Sequence, residues 1–376
     1  MTDLGNLYIL ILFIILLSSS AIQLFYYIFY YTVVHFYKHP EDPASILPVS
    51  IIICARNEAE NLKRFLPSVL EQDYPDYEVI VVNDCSEDGS YLILGNYLLQ
   101  YPHLRISTVN KDPKFTHNKK FAQFIGIKAA KNEILLFTDA DCHPESDKWL
   151  ANMSSHFHEK TDFVLGYGGY LSKSGLLNKY IRYDCLFIAM QYLGMAIRGI
   201  PYMGVGRNLG YRRSLFFTNN GYGAHNHLIS GDDDLFVNSN ATKANTWVEF
   251  RRESHTRSVP SADLKEWIIQ KKRHLTTAPY YRLRDKLVLI IEPVTRVLFY
   301  SVLIALLCLK FNWIWISSVF GVRLITQYTV HFFTRKKLNE PGLLPYLLIF
   351  DILSPLLNGI LFLSNTGSKS GKNRWR

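Results

Sequence analysis

Apolar residues crowd the first 36 positions and the last third of this 376-residue chain, and a more polar stretch lies between them. That distribution constrains the fold more than any single motif. Residues 7–29 are apolar apart from three serines and Gln23, and a bilayer-spanning helix needs about 20 such residues. Tyr26, Tyr27, Tyr30 and Tyr31 follow in the pattern of an interfacial aromatic belt. Asp3, the lack of Lys or Arg ahead of the run, and the run's length argue against a cleaved leader. Toward the C-terminus, residues 294–309, 313–333 and 343–363 are the candidate membrane segments, with Glu292, Pro293 and Arg296 making an interfacial entry. Arg335, Lys336 and Lys337, and the tail cations Lys369, Lys372, Arg374 and Arg376, are all expected on the cytoplasmic side. Three full crossings would separate the two groups. A re-entrant hairpin around Asp351, Pro355 and Asn358 would reconcile them.

The formal net charge of +9 suits an anionic leaflet and phosphate-bearing substrates. No nucleic-acid module accompanies it, so no nucleic-acid partner is expected. The five cysteines, Cys54, Cys85, Cys142, Cys185 and Cys308, are scattered and lack any Cys-x-x-Cys spacing. They indicate neither a disulfide framework nor a zinc site, and a reducing compartment fits.

The polar middle alternates strands and helices. Residues 49–54, 78–82, 105–109 and 134–137 read as buried strands; residues 59–70 and 119–130 read as helices. Such alternation belongs to a doubly wound, Rossmann-like α/β nucleotide-binding unit. Neither Gly-x-Gly-x-x-Gly nor a P-loop occurs, which argues against dinucleotide and P-loop folds. Asp139 and Asp141 stand at the end of the fourth strand, where open α/β sheets bind ligands. Two crowded carboxylates there suit a hard divalent cation, Mg²⁺ or Mn²⁺, beside a diphosphate; a solvated acidic turn is the plainer alternative.

Three segments, each at a strand end, carry a resemblance: Ala55-Arg56-Asn57-Glu58, the Val81–Gly89 loop of the form Val-Val-Asn-Asp-x-Ser-x-Asp-Gly, and Thr138-Asp139-Ala140-Asp141. In this order they resemble the nucleotide-binding half of an inverting family 2 glycosyltransferase with a GT-A fold. The resemblance implies that Asp84 bonds the nucleotide base and that Asp139 and Asp141 hold the metal. It also brings Arg56, Glu58, Lys119 and Gln270 to the donor. The family's Ala-Leu-Asn-x-Gly is replaced by Ala122-Gln123-Phe124-Ile125-Gly126. A carboxylate at Asp84 accepts from the imide N–H of uracil, which cytosine lacks, and so favours uridine nucleotides; a helix cap or turn is its alternative role. Asp88 is expected to be structural, and Lys119 and Lys120 either contact phosphate or begin a solvated helix.

Downstream, Gly166 to Tyr170 reads as a turn and residues 176–200 as a long helix whose Met and aromatic stripe packs rather than binds. Asn208, among glycines, is the candidate for contact with the sugar, turn chemistry being its alternative. Asp232-Asp233-Asp234-Leu235 resembles the family's Glu-Asp-x-Asp-Leu segment with Gly231 in the Glu position. Alignment on Leu235 makes Asp232 the general base, with Asp233 if the register slips, and sets the base across the donor sugar from the metal. Gln270-Lys271-Lys272-Arg273-His274 resembles the Gln-x-x-Arg-Trp motif of processive synthases with His274 in place of Trp. Arg273 would neutralise the departing diphosphate; a basic juxtamembrane helix is the alternative.

The expected organisation is an N-terminal transmembrane helix with its flank (1–36), a linker (37–47), a GT-A domain (48–284), C-terminal membrane segments (285–368) and a basic tail (369–376). The expected function is membrane-bound transfer from a nucleotide-sugar to a lipid or glycan acceptor. The catalytic domain would face the cytoplasm at the inner or plasma membrane. A processive polysaccharide synthase is the alternative enzyme. A non-catalytic, nucleotide-sensing membrane transporter is the alternative outside enzymes, and it requires polar groups lining the spans. The oligomeric state is not legible.

Overall fold

The computed structural model describes residues 2–40, 46–111, 118–228 and 230–366; most of the 37–47 linker's second half and the 369–376 tail lie outside them. Ten strands form two sheets: β1 (Val49–Ala55), β2 (Tyr77–Asp84), β3 (Leu104–Val109), β4 (Ile134–Asp139), β5 (Cys142–Pro144), β6 (Phe163–Gly166), β7 (Gly168–Tyr170), β8 (Leu209–Arg212), β9 (Thr246–Glu249) and β10 (Thr256–Ser258). The larger runs β3-β2-β1-β4-β8-β6-β9, and the smaller β5-β10-β7. The first four strands of the larger sheet are parallel, and β8 pairs antiparallel with both β4 and β6. Every residue of β1 is buried, as an apolar β-branched run between two helical layers requires.

The longer helices are α1 (Thr2–Phe25), α2 (Ala59–Leu70), α3 (Ser90–Gln100), α4 (Lys119–Ala129), α5 (Leu176–Ile197), α6 (Leu264–Leu275), α7 (Leu283–Cys308), α8 (Trp313–Lys337) and α9 (Leu347–Thr366). The GT-A-type α/β architecture expected from the sequence is present. Gly166 to Tyr170, read as a turn, instead ends β6 and forms β7. A side chain at Gly168 or Gly169 would strike Arg207 or Arg257, so these glycines admit two guanidinium groups close to the backbone.

Among the described residues, three helices are long and apolar enough to cross a membrane: Gly5–Phe36, Leu283–Cys308 and Leu344–Asn365. The first continues α1 through a π-helical turn, Tyr26–Tyr31. Its tyrosines form no lipid-facing belt, because Tyr26, Tyr27, Tyr30 and Tyr31 are buried. Gly194 of α5 lets the Tyr30 carbonyl approach where any Cβ would collide, so the π turn packs onto the catalytic unit.

The 313–333 segment is helical but falls outside this apolar set. It carries Arg323, Gln327 and His331, all buried. Arg323 donates to Asp351 Oδ2 (2.8 Å) and to the Tyr300 hydroxyl (2.9 Å), while Arg296 meets Asp351 Oδ1 (3.0 Å) and Glu292 (2.9 Å). Two arginines and two acids thus close a neutral network among α7, α8 and α9, the arrangement buried charge demands. The expected hairpin is one continuous helix, α9. Before it, the Tyr346 hydroxyl accepts from Lys179 at the start of α5 (2.6 Å); at its end, Asn365 donates to the Lys272 carbonyl of α6 (2.8 Å).

The loop between α8 and α9 enters the catalytic unit. The buried Glu340 accepts from Arg182 Nε (2.7 Å), from the Tyr167 hydroxyl (2.8 Å) and from Arg257. Arg257 also donates to the carbonyls of Leu338 and Asn339. Replacing Glu340 by Ala removes the carboxylate partner of the buried Arg182 and leaves Arg257 with Glu145 alone. It should cost about 3–5 kcal/mol, read as a lowered unfolding temperature of the detergent-solubilised chain, with Glu340→Gln falling between.

Candidate active site

Strand register assembles the site. Cys54 of β1 lies between Val82 of β2 and Asp139 of β4, so Asp84 and Asp139 emerge at one sheet edge. The exits of β1 and β2 are stitched together. Asn57, at φ 55°, donates from its backbone to Ser86 Oγ (2.9 Å) and accepts from the Glu87 amide (2.8 Å). Asp88 accepts from the amides of Ala59 (3.0 Å) and Ser90 (2.9 Å), the structural role expected of it. Arg56 sits in this exit. Burial and the Asp84 carboxylate push the Cys85 thiol up, against the positive charges of Arg56 and Lys111. Glu58 accepts from Asn61 (2.6 Å). Its carboxyl is raised to about 7, mainly by burial and further by Asp141, Asp139 and Asp88, while the Asn61 bond opposes the rise. Asp84 itself is fully buried.

At the end of β4 the donor atoms of Asp139, Asp141 and Cys142 lie within 4.8 Å of one another. Lys119, at the first turn of α4, donates to Asp139 Oδ1 (2.6 Å) and stands 3.6 Å from Asp232. Burial works against ionisation of Asp139, but Lys119, with Arg207 and Arg273, holds its carboxyl below the usual range. Asp141 goes the other way: burial and the Asp139 charge raise it, although Ser258 Oγ donates to its Oδ2 (2.8 Å). An excess of negative charge therefore collects at Asp141. Burial also keeps the Cys142 thiol protonated, and that leaves a set of hard oxygen donors suited to Mg²⁺ or Mn²⁺. Lys120, by contrast, is buried and donates to the carbonyls of His225 (2.7 Å) and Leu228 (3.1 Å); it is structural.

The three adjacent aspartates occupy three environments. Gly231 has φ 100°, and a Cβ there would press into Leu235, so a Glu does not fit this position. Asp232 is buried, and its Oδ2 lacks a hydrogen-bond partner. Asp233 caps the Asp234–Asn240 helix, accepting from the Gly206 amide (2.6 Å) and the Asp234 amide (2.8 Å). Asp234 accepts from Thr277 Oγ1 (2.5 Å) and the Tyr281 hydroxyl (2.7 Å). Asp232 shares the Lys119 ammonium with Asp139.

On α6, Gln270 accepts from Ser261 Oγ (3.1 Å), and Lys271 makes a buried pair with Asp184 of α5 (2.6 Å). Arg273 has a buried Nε with no hydrogen-bond partner, and its charge reaches Asp139. His274, in the Trp position, is held neutral by burial and by the neighbouring cations.

The structure does not bring Asn208 to the site. Its side chain is fully buried, accepting from Trp149 Nε1 (2.9 Å) and donating to the carbonyls of Tyr167 and Ser254 (2.8 Å each). A primary amide so placed is needed by three core groups. Arg207 beside it was missed by sequence reasoning. It donates to the Gly168 carbonyl (2.8 Å) and the Tyr170 hydroxyl (3.1 Å), and its charge reaches both Asp139 and Asp141. The available signal was a lone cation in a glycine-rich loop facing an acidic pair.

Comparison with known proteins follows this geometry. The model of glycosyl transferase family 2 matches residues 50–217. This stretch is a family 2 glycosyltransferase domain. Glycosyltransferase AglE of Haloferax volcanii is 38% identical over 109 residues, 28% of this chain and 34% of that protein. The poly(ribitol-phosphate) beta-glucosyltransferase of Bacillus spizizenii is 32% identical over 125 residues, 32% of this chain and 19% of that protein. The chain thus aligns with a third or less of these relatives' lengths. The mannosyltransferase PcManGT from Pyrobaculum calidifontis, solved with GDP-Man and Mn²⁺, superposes with a TM-score of 0.58 at 18% identity over 92% of this chain and 99% of its own. That likeness shows the shared GT-A fold, the apolar helices included in the extent matched.

Asn208→Ala should lower stability by about 1–3 kcal/mol, the cost of stranding buried polar groups, while the folded fraction keeps its affinity for nucleotide; thermal unfolding and nucleotide titration separate the two. Asp233 supplies a pH test. Burial, then the charges of Asp232 and Asp234, raise its carboxyl to about 7. A raised carboxyl stabilises the fold in its protonated form, a contribution complete below about pH 4 and lost as pH rises through about 7. Wild type should therefore lose stability relative to Asp233→Asn between about pH 5 and pH 8, measured by unfolding at both pH values.

Proposed function

We propose that the chain is an integral-membrane, inverting glycosyltransferase that moves a sugar from a UDP-sugar to a lipid or membrane-associated glycan, its catalytic domain on the cytoplasmic side. The observation that carries the reading is the shared ammonium of Lys119, which joins the carboxylates of Asp139 and Asp232 at the sheet edge from which Asp84 also emerges. In this reading Asp84 marks the base position, Asp139 and Asp141 the diphosphate position, and Asp232, joined to Asp139 through Lys119, the acceptor side. The joining of this unit to apolar helices supports an acceptor held in or near the bilayer.

In this reading Asp84 accepts from the imide of the base. Guanine offers an N–H of the same kind, so uridine and guanosine donors need a direct comparison. A divalent metal at Asp139 and Asp141 would supply charge to the diphosphate, as befits their oxygen donors and the excess charge at Asp141. The PcManGT structure, holding Mn²⁺, supports that choice of group without deciding between Mg²⁺ and Mn²⁺. Arg273 and Arg207 add positive charge on the leaving side. Asp232 takes the proton of the acceptor hydroxyl on its buried carboxylate, whose Oδ2 stands 3.6 Å from the Lys119 ammonium. The hydroxyl oxygen bonds the anomeric carbon as the bond to the diphosphate breaks, and the electron pair leaves with the nucleoside diphosphate. One in-line displacement inverts the anomeric centre. Absence of a Trp at His274 favours single transfer over processive synthesis, since no stacking platform stands there.

Asp232→Asn should lower turnover by about 10²–10⁴-fold with nucleotide affinity nearly unchanged. The same loss in Asp233→Asn instead would move the base by one residue, and a loss in neither would refute this mechanism. Asp139→Asn combined with Asp141→Asn should abolish both turnover and metal-dependent nucleotide binding; full activity in excess chelator contradicts the metal reading. Mass spectrometry of glycolipids after incubation with a panel of UDP- and GDP-sugars identifies donor and acceptor together, and Asp84→Ala should weaken binding of the matching nucleotide.

A further inference from the structure

A second group of metal-type ligands lies on elements that the proposed chemistry does not use. His39 comes from the connector between the N-terminal helix and β1, His156 from the loop after the Trp149–Ser154 helix, and Glu249 from the end of β9. Their donor atoms lie within 4.8 Å of one another. His156 Nε2 is 2.6 Å and His39 Nδ1 3.5 Å from the same oxygen, Glu249 Oε2. His156 and Glu249 are fully buried, and the His39 side chain is 9% exposed.

All three side chains are already oriented. Glu249 Oε1 accepts from the Arg251 amide (2.7 Å) and Ser254 Oγ (2.9 Å), which turns Oε2 toward the histidines. His156 stacks on Trp247 (5.6 Å between centroids), and His39 packs edge-on against Phe250 (4.6 Å) and Tyr37 (5.0 Å). Such supports around ligand side chains are what hold a metal site in shape. Both ring nitrogens of His39 are buried without a hydrogen-bond partner, as is His156 Nδ1. Buried polar atoms in that state carry a penalty, which coordination at His39 Nδ1 would partly remove.

We propose that His39, His156 and Glu249, with a water in the fourth position, form a Zn²⁺ site that staples the connector of the N-terminal membrane helix to β9. Two imidazole nitrogens and one carboxylate oxygen are a zinc ligand set. At metal–ligand distances of about 2.0–2.2 Å, ligand atoms around a tetrahedral ion stand about 3.4 Å apart, so the His156–Glu249 contact opens slightly and the His39 contact stays. Arg251 is the cation touching Oε2 (3.3 Å); its side chain is 34% exposed, and the same Nη2 reaches the Pro40 carbonyl (3.4 Å). The charge of Lys337 also reaches His39.

Co²⁺ titration of the metal-stripped full chain in detergent tests the site. One equivalent should give the strong visible bands of four-coordinate cobalt and be displaced by Zn²⁺. The bands should persist in the Asp139→Asn and Asp141→Asn double variant and vanish in His39→Ala and in His156→Ala. His39→Ala, in the connector, covers the case in which His156→Ala fails to fold. Zn²⁺ should raise the unfolding temperature of wild type but not of His39→Ala. No visible bands, bands that survive His39→Ala, or bands lost with the aspartates would each overturn the site.

Discussion

A carboxylate removed from water must be met by donors on every side, and Glu340 is where that requirement joins the halves of this protein. It belongs to the loop between two long helices, yet its partners are Arg182 of α5, Arg257 of β10 and Tyr167 beside the catalytic sheet. Strand β10 also carries Ser258, which donates to Asp141. The apolar helices are therefore two residues of strand away from an acidic pair at the heart of the proposed chemistry. Lys337 repeats the theme from the end of α8, donating to the carbonyls of His35 (3.3 Å) and Tyr37 (2.6 Å). Membrane-type helices and catalytic sheet behave as one packed body because charge, not only apolar surface, crosses between them.

The catalytic half was legible where burial dictates composition. The runs that became β1, β2 and β4 are apolar because both sheet faces are covered, and the acidic residues that end β2 and β4 stand out against them. Asp139 and Asp141 could be named for that reason, whereas Asp84 and Lys119 came from the family resemblance. Asn208 and Arg207 could not be sorted. A glycine-rich loop leaves its register open, and only the fold shows which of two adjacent polar residues fills the core. The tyrosines of the π turn misled in another way: an aromatic cluster at the end of an apolar helix has the same composition whether it meets lipid headgroups or, as here, the face of α5. The 313–333 segment looked apolar overall, but Arg323, Gln327 and His331 fall on one helical face, and what that face meets is a long-range fact. His39, His156 and Glu249 are widely separated along the chain, His156 and Glu249 by 93 residues, and leave no local spacing to notice.

The acidic triplet shows how little sequence distance is needed to separate roles. Asp232, Asp233 and Asp234 share a composition and a charge, yet one faces an ammonium, one caps a helix and one is held by two hydroxyls. The positive φ of Gly231 sets the turn that splays them. A Glu in that place would need a conformation that non-glycine residues avoid, and the altered motif follows from backbone geometry.

Helix α9 is fastened to the catalytic unit before its first turn and at its last, through Lys179 and Lys272. A helix of its length reaches about 30 Å, so it lies like a sill along the underside of the domain instead of leading away from it. Fixed at both ends, it cannot tilt or slide on its own when the bilayer thickens or bends. In the proposed reaction an acceptor passing α9 would meet an edge held at a constant distance from the site, and the length of headgroup or carrier presented to Asp232 would be set by the fold.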